Sequence, residues 1–204
     1  MAARRNNACG VGIAYDSKAA GLRILGGRIT TTDEAAALNY GYKKVGIYSC
    51  SWGPRDNGQT MSAPSYLIRK AFAEGINNGR DGKGSIFVFA SGNGGRHEDQ
   101  CNFDGYTNSI YSVTVGAVDH MGLHPTYSEA CAANMIVAYS SGSGKKIVCI
   151  IYRQMFFFSF FCNPDHSGRL LRIEGKINAL TRMEVPLLLR LMLLVFLRLR
   201  WKHG

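Results

Sequence analysis

Ile86-Phe87-Val88-Phe89-Ala90-Ser91-Gly92-Asn93-Gly94-Gly95 is the stretch on which the fold turns. Its first half lies in a continuous apolar run from Ser85 to Ala90, preceded by the loop Gly79-Arg80-Asp81-Gly82-Lys83-Gly84. A strand that is apolar at successive positions, rather than at every second one, belongs in a sheet covered on both faces. The second half follows that strand without a spacer. In open α/β sheets ligands sit at the carboxyl ends of strands, and three glycines let backbone come close to a bound chain. Asn93 would there present its amide to a reacting atom. On the local pattern alone, the same residues are also a glycine turn with Asn93 in the left-handed conformation.

Elements on either side repeat the alternation. Thr30-Thr31-Thr32-Asp33-Glu34 supplies a cap and first-turn acids for a helix that continues through Ala35 to Leu38. Val45 to Ser51 is a buried-type strand that must turn at Trp52-Gly53-Pro54. Ser62-Ala63-Pro64 is expected to open a second helix, with Pro in its first turn. Leu67, Ile68, Ala71, Phe72, Gly75 and Ile76 would form its apolar face. Ser109 to Val118 reads as a further strand, and Gly10–Ala14 and Gly21–Leu25 are shorter apolar runs. Strands separated by helices imply a parallel α/β sheet.

The 204 residues, 46% hydrophobic and 19% charged, suit one globular domain or a little more. The formal net charge of +10 is unevenly placed. From Lys145 onward there are 11 Lys/Arg against 3 Asp/Glu, and before it 13 against 11. The excess charge is therefore not interleaved with aromatics on a folded face, which argues against nucleic acid as a partner. Ile147–Cys162 is almost wholly apolar and aromatic, with Arg153 and Gln154 inside it, and Pro186–Trp201 is Leu-rich but broken by Arg190, Arg198 and Arg200. Neither reaches the roughly 20 uninterrupted apolar residues of a spanning helix; a basic membrane-surface tail is an alternative reading of the second. Cys9, Cys50, Cys101, Cys131, Cys149 and Cys162 show no metal-ligand spacing, and their even number allows disulfides without requiring them. The first residues contain no apolar signal-peptide core, so the start of the protein is expected upstream.

Five stretches, in order and spacing, resemble the kexin/furin proprotein convertases among the subtilisin-like serine proteases, and the yeast-type kexins in particular. They are Tyr48–Pro54, Phe87–Gly95, Asn102–Tyr111, Tyr127–Cys131 and Tyr139–Gly142. The resemblance implies a three-layer α/β subtilisin-like fold with a parallel sheet, incomplete in this chain, with residues 1–148 as the central part of the catalytic domain. It implies a serine endopeptidase that cleaves proproteins after paired basic residues, so that basic peptides are the expected partners. It further implies the secretory pathway, at the Golgi membrane for the full-length family member.

Residue by residue, the resemblance makes Asn93 the oxyanion donor, Asp104 the acid at the base of the S1 pocket, and Asp56 an acid shared between that pocket and a calcium ion. Glu34 lines the S4 side of the cleft, and Ser51, Trp52 and Gly53 pair with substrate backbone. Asp56, Asp99 and Glu129 become Ca²⁺ ligands. Asn6, with the carbonyls of Ala8 and Gly10, becomes part of a second calcium loop whose acids are absent. Cys101 and Cys131 match a family disulfide, Cys9 matches a disulfide cysteine, and Cys50 reads as a buried thiol. Ser62 stands where furin-like members carry a second S4 acid. Arg55 and Asn57 flank Asp56 where acids are common.

Subtilisin-type triads run Asp, His, Ser along the chain. The family's Asp and His are expected before Met1, and its Ser motif, Gly-Thr-Ser-Ala, is expected beyond Lys145 but is not written there. His97, His120, His124, His166 and His203 receive no catalytic role, and the chain alone is expected to be inactive. The codons of Asn178–Lys202, read from each third base, permit a sequence containing Gly-Thr-Ser-Ala. In that frame Met183-Glu184 fixes a Gly and Trp201-Lys202 fixes a Glu. Residues 149–204 are accordingly expected to be an aberrant tail, a retained intron followed by a frame-shifted exon.

Overall fold

Two capped helices alternate with the first two of four parallel strands in a computed structural model that describes residues 18, 20–25 and 27–145, with the backbone of 148–150 and 160–162. Helix α1 spans Thr31–Asn39. Thr30 caps it: its side chain accepts from Asp33 N at 3.2 Å while its own N–H donates to Asp33 Oδ2 at 3.1 Å. This reciprocal box satisfies two otherwise orphaned donors. Leu38 and Ala35 face inward.

Helix α2, Tyr66–Asn78, starts later than its sequence suggested. Its cap is Ser65, not Ser62. The backbone of Ser62 is already committed, donating to Phe103 O at 3.1 Å and accepting from Gly105 N at 2.8 Å. Pro64 therefore precedes the cap and is buried there. Ile68, Ala71, Phe72 and Gly75 form the buried face, whereas Leu67 is exposed.

Strands β1 (Ile47–Cys50), β2 (Ile86–Ala90), β3 (Ser112–Val118) and β4 (Asn134–Tyr139) pair in that order, all parallel. β3 begins three residues later than expected because Ser109–Ser112 is a turn: Tyr111 N donates to Ser109 Oγ at 3.1 Å and Ser112 N to Ser109 O at 3.2 Å. Gly21–Leu25 forms no strand; among the described residues it has no ladder partner. Val148–Ile150 and Phe160–Cys162 pair antiparallel.

The two faces of the sheet bury different cores. Phe87, Phe89, Tyr48 and Cys50 meet Phe72, Ile68 and Leu38 of the helices. Val88, Val115, Ala117 and Ala138 form the opposite cluster, as the two-residue side-chain period of strands requires. β1 and β2 are joined through α2. β2 and β3 are joined without an α-helix, through 3₁₀ turns at Gly94–His97 and Cys101–Phe103. No described helix is long and apolar enough to cross a membrane. The run Gly10–Ala14 and the expected tail 149–204, apart from the backbone of its two short strand segments, lie outside the described residues.

Candidate functional site

The register Cys50↔Phe89 brings the exits of β1 and β2 side by side at their carboxyl ends. One exit carries Ser51-Trp52-Gly53-Pro54, the other Ser91-Gly92-Asn93-Gly94-Gly95. Gly92 has φ +112, and a Cβ there would fall 2.2 Å from Glu129 Oε1. The left-handed position is thus Gly92. Asn93 instead adopts φ −126, ψ 12, correcting the reading of it as a left-handed turn residue. The amides of this loop are held by acids: Asn93 N donates to Asp56 Oδ2 at 2.7 Å and the buried Gly94 N to Glu129 Oε1 at 2.8 Å. Among the described residues the buried Asn93 Oδ1 has no hydrogen-bond partner, and neither has Ser51 Oγ at the end of β1.

Four carboxylates collect around this loop. Asp99, buried, accepts from Gly58 N and Gln100 N, each at 2.9 Å. Glu129 is 3% exposed. Asp104 Oδ1 accepts from Tyr106 N at 2.7 Å. Its other oxygen lies beneath the β1 exit, since a Cβ on Gly53 would sit 2.9 Å from Asp104 Oδ2. Asp56 closes the open edge; the residue is exposed while its carboxylate turns inward.

Burial, first, and mutual repulsion, last, push Glu129, Asp104 and Asp56 up, against the backbone N–H groups that favour the charged forms. The Glu129 carboxyl rises to about 7 and that of Asp104 to about 6. Asp56 is raised by desolvation and by Asp99, less the Asn93 hydrogen bond. A folded-state value above the unfolded one means that the folded chain binds the proton more tightly. The stabilisation from Asp104 is then complete below the ordinary Asp range and is lost as pH rises through about 6. In metal-free buffer the melting temperature should therefore climb as pH falls from about 7 to 5, less steeply in Asp104→Asn. Equal slopes in the two proteins would contradict the buried carboxylate.

The donor set is all-oxygen and anionic, which suits a hard cation such as Ca²⁺. Among the described residues no three His, Cys, Asp or Glu side chains already close on a metal position. Their oxygens face backbone N–H groups instead.

Across the β1 exit lies a groove of about 260 Å³ lined by Ile24, Glu34, Trp52, Gly53, Ser62 and Tyr106. The Tyr106 hydroxyl donates to Glu34 Oε1. Its ring packs edge-on to Trp52, with centroids 5.4 Å apart, and near Phe89 at 5.7 Å. Desolvation raises the Glu34 carboxyl, offset in part by that hydroxyl. Tyr106 is thus common to both sides: its N–H holds Asp104 and its hydroxyl holds Glu34. Sequence reasoning passed it over. No sequence signal marks it, because its N–H is a group that every residue but proline has and its hydroxyl meets Glu34 from far along the chain.

The structure therefore gathers Asn93, Asp56, Asp99, Glu129, Asp104, Glu34, Ser51, Trp52 and Gly53 around one strand-end cleft. Cys101 and Cys131 are joined by a disulfide, Cα–Cα 5.4 Å. Asn6 and Cys9 lie outside the described residues.

A parallel α/β sheet with a Gly-Asn-Gly loop at its carboxyl edge is the architecture of subtilisin-like proteins. The Subtilase family model matches residues 1–153, and the chain belongs to that family of serine peptidases. The chain is 60% identical over 146 residues to kexin of Saccharomyces cerevisiae, covering 72% of this chain and 18% of that protein. It is 61% identical over 168 residues to kexin of Candida albicans (82% and 17%) and 45% over 169 residues to furin of Bos taurus (82% and 20%). The chain thus spans about a fifth of the length of these relatives. Among solved structures, the serine protease of Aeromonas sobria in complex with its chaperone superposes with TM-score 0.56 at 18% identity, covering 65% of this chain and 26% of that one. That likeness speaks to the fold alone.

Proposed function

We propose that residues 27–145 form the basic-residue cleft and oxyanion loop of a kexin-type serine endopeptidase acting on proproteins after paired basic residues. The observation that carries this reading is the Asp104 carboxylate, held by Tyr106 N beneath the Trp52–Gly53 strand end and beside the Asn93 loop. A substrate laid against that strand end would pair with it as an added strand. Its Arg or Lys would reach Asp104, where a charge-assisted hydrogen bond in a desolvated pocket is strong. The scissile carbonyl would then lie toward Asn93, whose amide stabilises the oxyanion that forms. Ser nucleophile, His base and Asp orienter complete the family chemistry and are not assigned to residues of this chain.

Asp56, Asp99 and Glu129 would hold Ca²⁺, which supplies positive charge beside the pocket and lets three acids remain ionised together. The Cys101–Cys131 disulfide supports residence in an oxidising secretory compartment. The 204-residue chain is expected to bind basic peptides without turning them over. Calorimetry with a Lys-Arg-containing peptide in calcium buffer should show binding, weakened by tenfold or more in Asp104→Asn. Equal affinity in the variant would remove Asp104 from the pocket. Serine-inhibitor-sensitive hydrolysis by the pure chain would overturn the expected inactivity.

Residues 149–204 are proposed to be out-of-frame sequence, which the break in charge after Lys145 supports. An uninterrupted messenger encoding the tail as it stands would refute this.

A further inference from the structure

We propose that Thr107 is the positioning residue that fixes the Asp104 carboxylate in the cleft, acting through its hydroxyl and its carbonyl. The inference rests on the reading of Asp104 as the acid that receives the basic side chain, and it deepens that reading.

Thr107 touches neither the groove nor the Asn93 loop, and at 2% exposure it is closed to solvent. Its hydroxyl sits inside the loop that carries Asp104. It donates toward Cys101 O at 2.7 Å and lies 3.0 Å from Asp104 O. One hydroxyl proton serves one carbonyl fully at a time, so the group is shared between the two ends of the 3₁₀ turn Cys101–Phe103 and its cap. That clamps the backbone of Asp104 to the half of the disulfide that Cys101 supplies.

The carboxylate itself is held by Tyr106 N, and the direction of that N–H is fixed only if the peptide planes beside it are fixed.

The second group, the carbonyl, supplies that fixing. Thr107 O accepts from Thr114 Oγ1, which is fully buried in β3. The single Ser112 hydroxyl proton goes to Tyr106 O at 2.6 Å, with Ser109 O at 3.0 Å and Thr107 O at 3.3 Å beside it. The loop is therefore pinned to the sheet through hydroxyls of β3, and Thr107 joins those pins to the turn that carries Asp104. Serine at this place keeps the hydroxyl. Valine keeps the shape and removes the donor, leaving two buried carbonyls without it.

The test uses the full 204-residue chain as wild type, Thr107→Ser, Thr107→Val and Asp104→Asn. The probe is an acetylated Lys-Arg amide peptide in calcium buffer. Calorimetry should give Thr107→Val an affinity lower by about tenfold or more. Thr107→Ser should stay within about twofold to threefold of wild type. Amide exchange followed by NMR should show Tyr106 N–H protected in wild type and in Thr107→Ser, and unprotected in Thr107→Val at matched global stability. Wild-type affinity in Thr107→Val, or a Tyr106 N–H that stays protected there, overturns the proposal. If the wild type fails to bind, or Asp104→Asn binds as well as wild type, the reading of Asp104 as a pocket acid fails. The Tyr106 exchange pattern then decides the role of Thr107 alone. If Thr107→Val does not fold, the wild type still decides: a slowly exchanging Thr107 hydroxyl proton is required, and its absence refutes the clamp.

Discussion

Phe89→Ala should destabilise the fold by about 3–5 kcal/mol, the range for emptying a fully buried aromatic site. Phe89 is at 0% exposure in β2, between Cys50 of β1 and Thr114 of β3 in the ladder. Its ring centroid lies 5.6 Å from Trp52, 5.7 Å from Tyr106 and 6.0 Å from Phe72. None of these neighbours can collapse freely into the space. Trp52 belongs to the β1 exit, Tyr106 holds two acids of the cleft, and Phe72 is fixed on α2. The cavity therefore stays largely open, which places the loss toward the upper part of the range. Urea titration followed by tryptophan fluorescence measures it, because Trp52 itself reports on the site. A loss below about 1 kcal/mol would mean that the aromatic cluster is looser than the contacts describe.

Replacing both Cys101 and Cys131 by alanine should cost about 3–4 kcal/mol. The crosslink closes a loop with a sequence separation of 30, and the chain-entropy estimate for such a loop falls in that range. The effect on the cleft is more specific than the effect on stability. Cys101 lies between Asp99 and Asp104 in the chain, and Cys131 lies two residues after Glu129. The bond thus ties the turn bearing two of the acids to the loop bearing a third. Without it their mutual repulsion is free to spread them apart. Guanidinium melts with and without reductant should show the same difference as the double variant. A difference below about 1 kcal/mol would assign the alignment of the two loops to Thr107 and Glu129 rather than to sulfur.

Much of this was written plainly in the sequence. Thr30 and Asp33 announced the start of α1, and the unbroken apolar run of β2 announced a parallel sheet. What the sequence hid was hidden for physical reasons. Ser62-Ala63-Pro64 looks like a helix start because propensity is local. In the fold, the backbone of Ser62 is taken by Phe103 and Gly105 from far along the chain, so Ser65 becomes the cap. β4 alternates in burial, yet its exposed positions, Met135, Val137 and Tyr139, are themselves apolar, so no alternation of hydropathy marks it in the sequence. The cleft acids were legible only through the family resemblance. By pattern alone Asp56, Asp99 and Asp104 are ordinary polar loop residues, because convergence of separate loops leaves no periodicity. Thr107 was silent for a related reason: its partners are carbonyls, which every residue has.

The connection from β2 to β3 contains only two 3₁₀ turns, and that bears on how the molecule is put together in time. A helical crossover can form early and carry its strand back to the sheet, whereas this segment has no such local nucleus. Closing it costs chain entropy before any β2–β3 ladder bond repays the loss. The helix-backed unit β1–α2–β2 should thus be the early-forming part, with β3 docking afterwards. Asp99, Asp104 and the Asn93 loop, which lie between β2 and β3, and Glu129, which lies beyond β3, then take shape last. In such a fold the strand-end cleft is the final thing assembled and the first to be exposed when the native state opens.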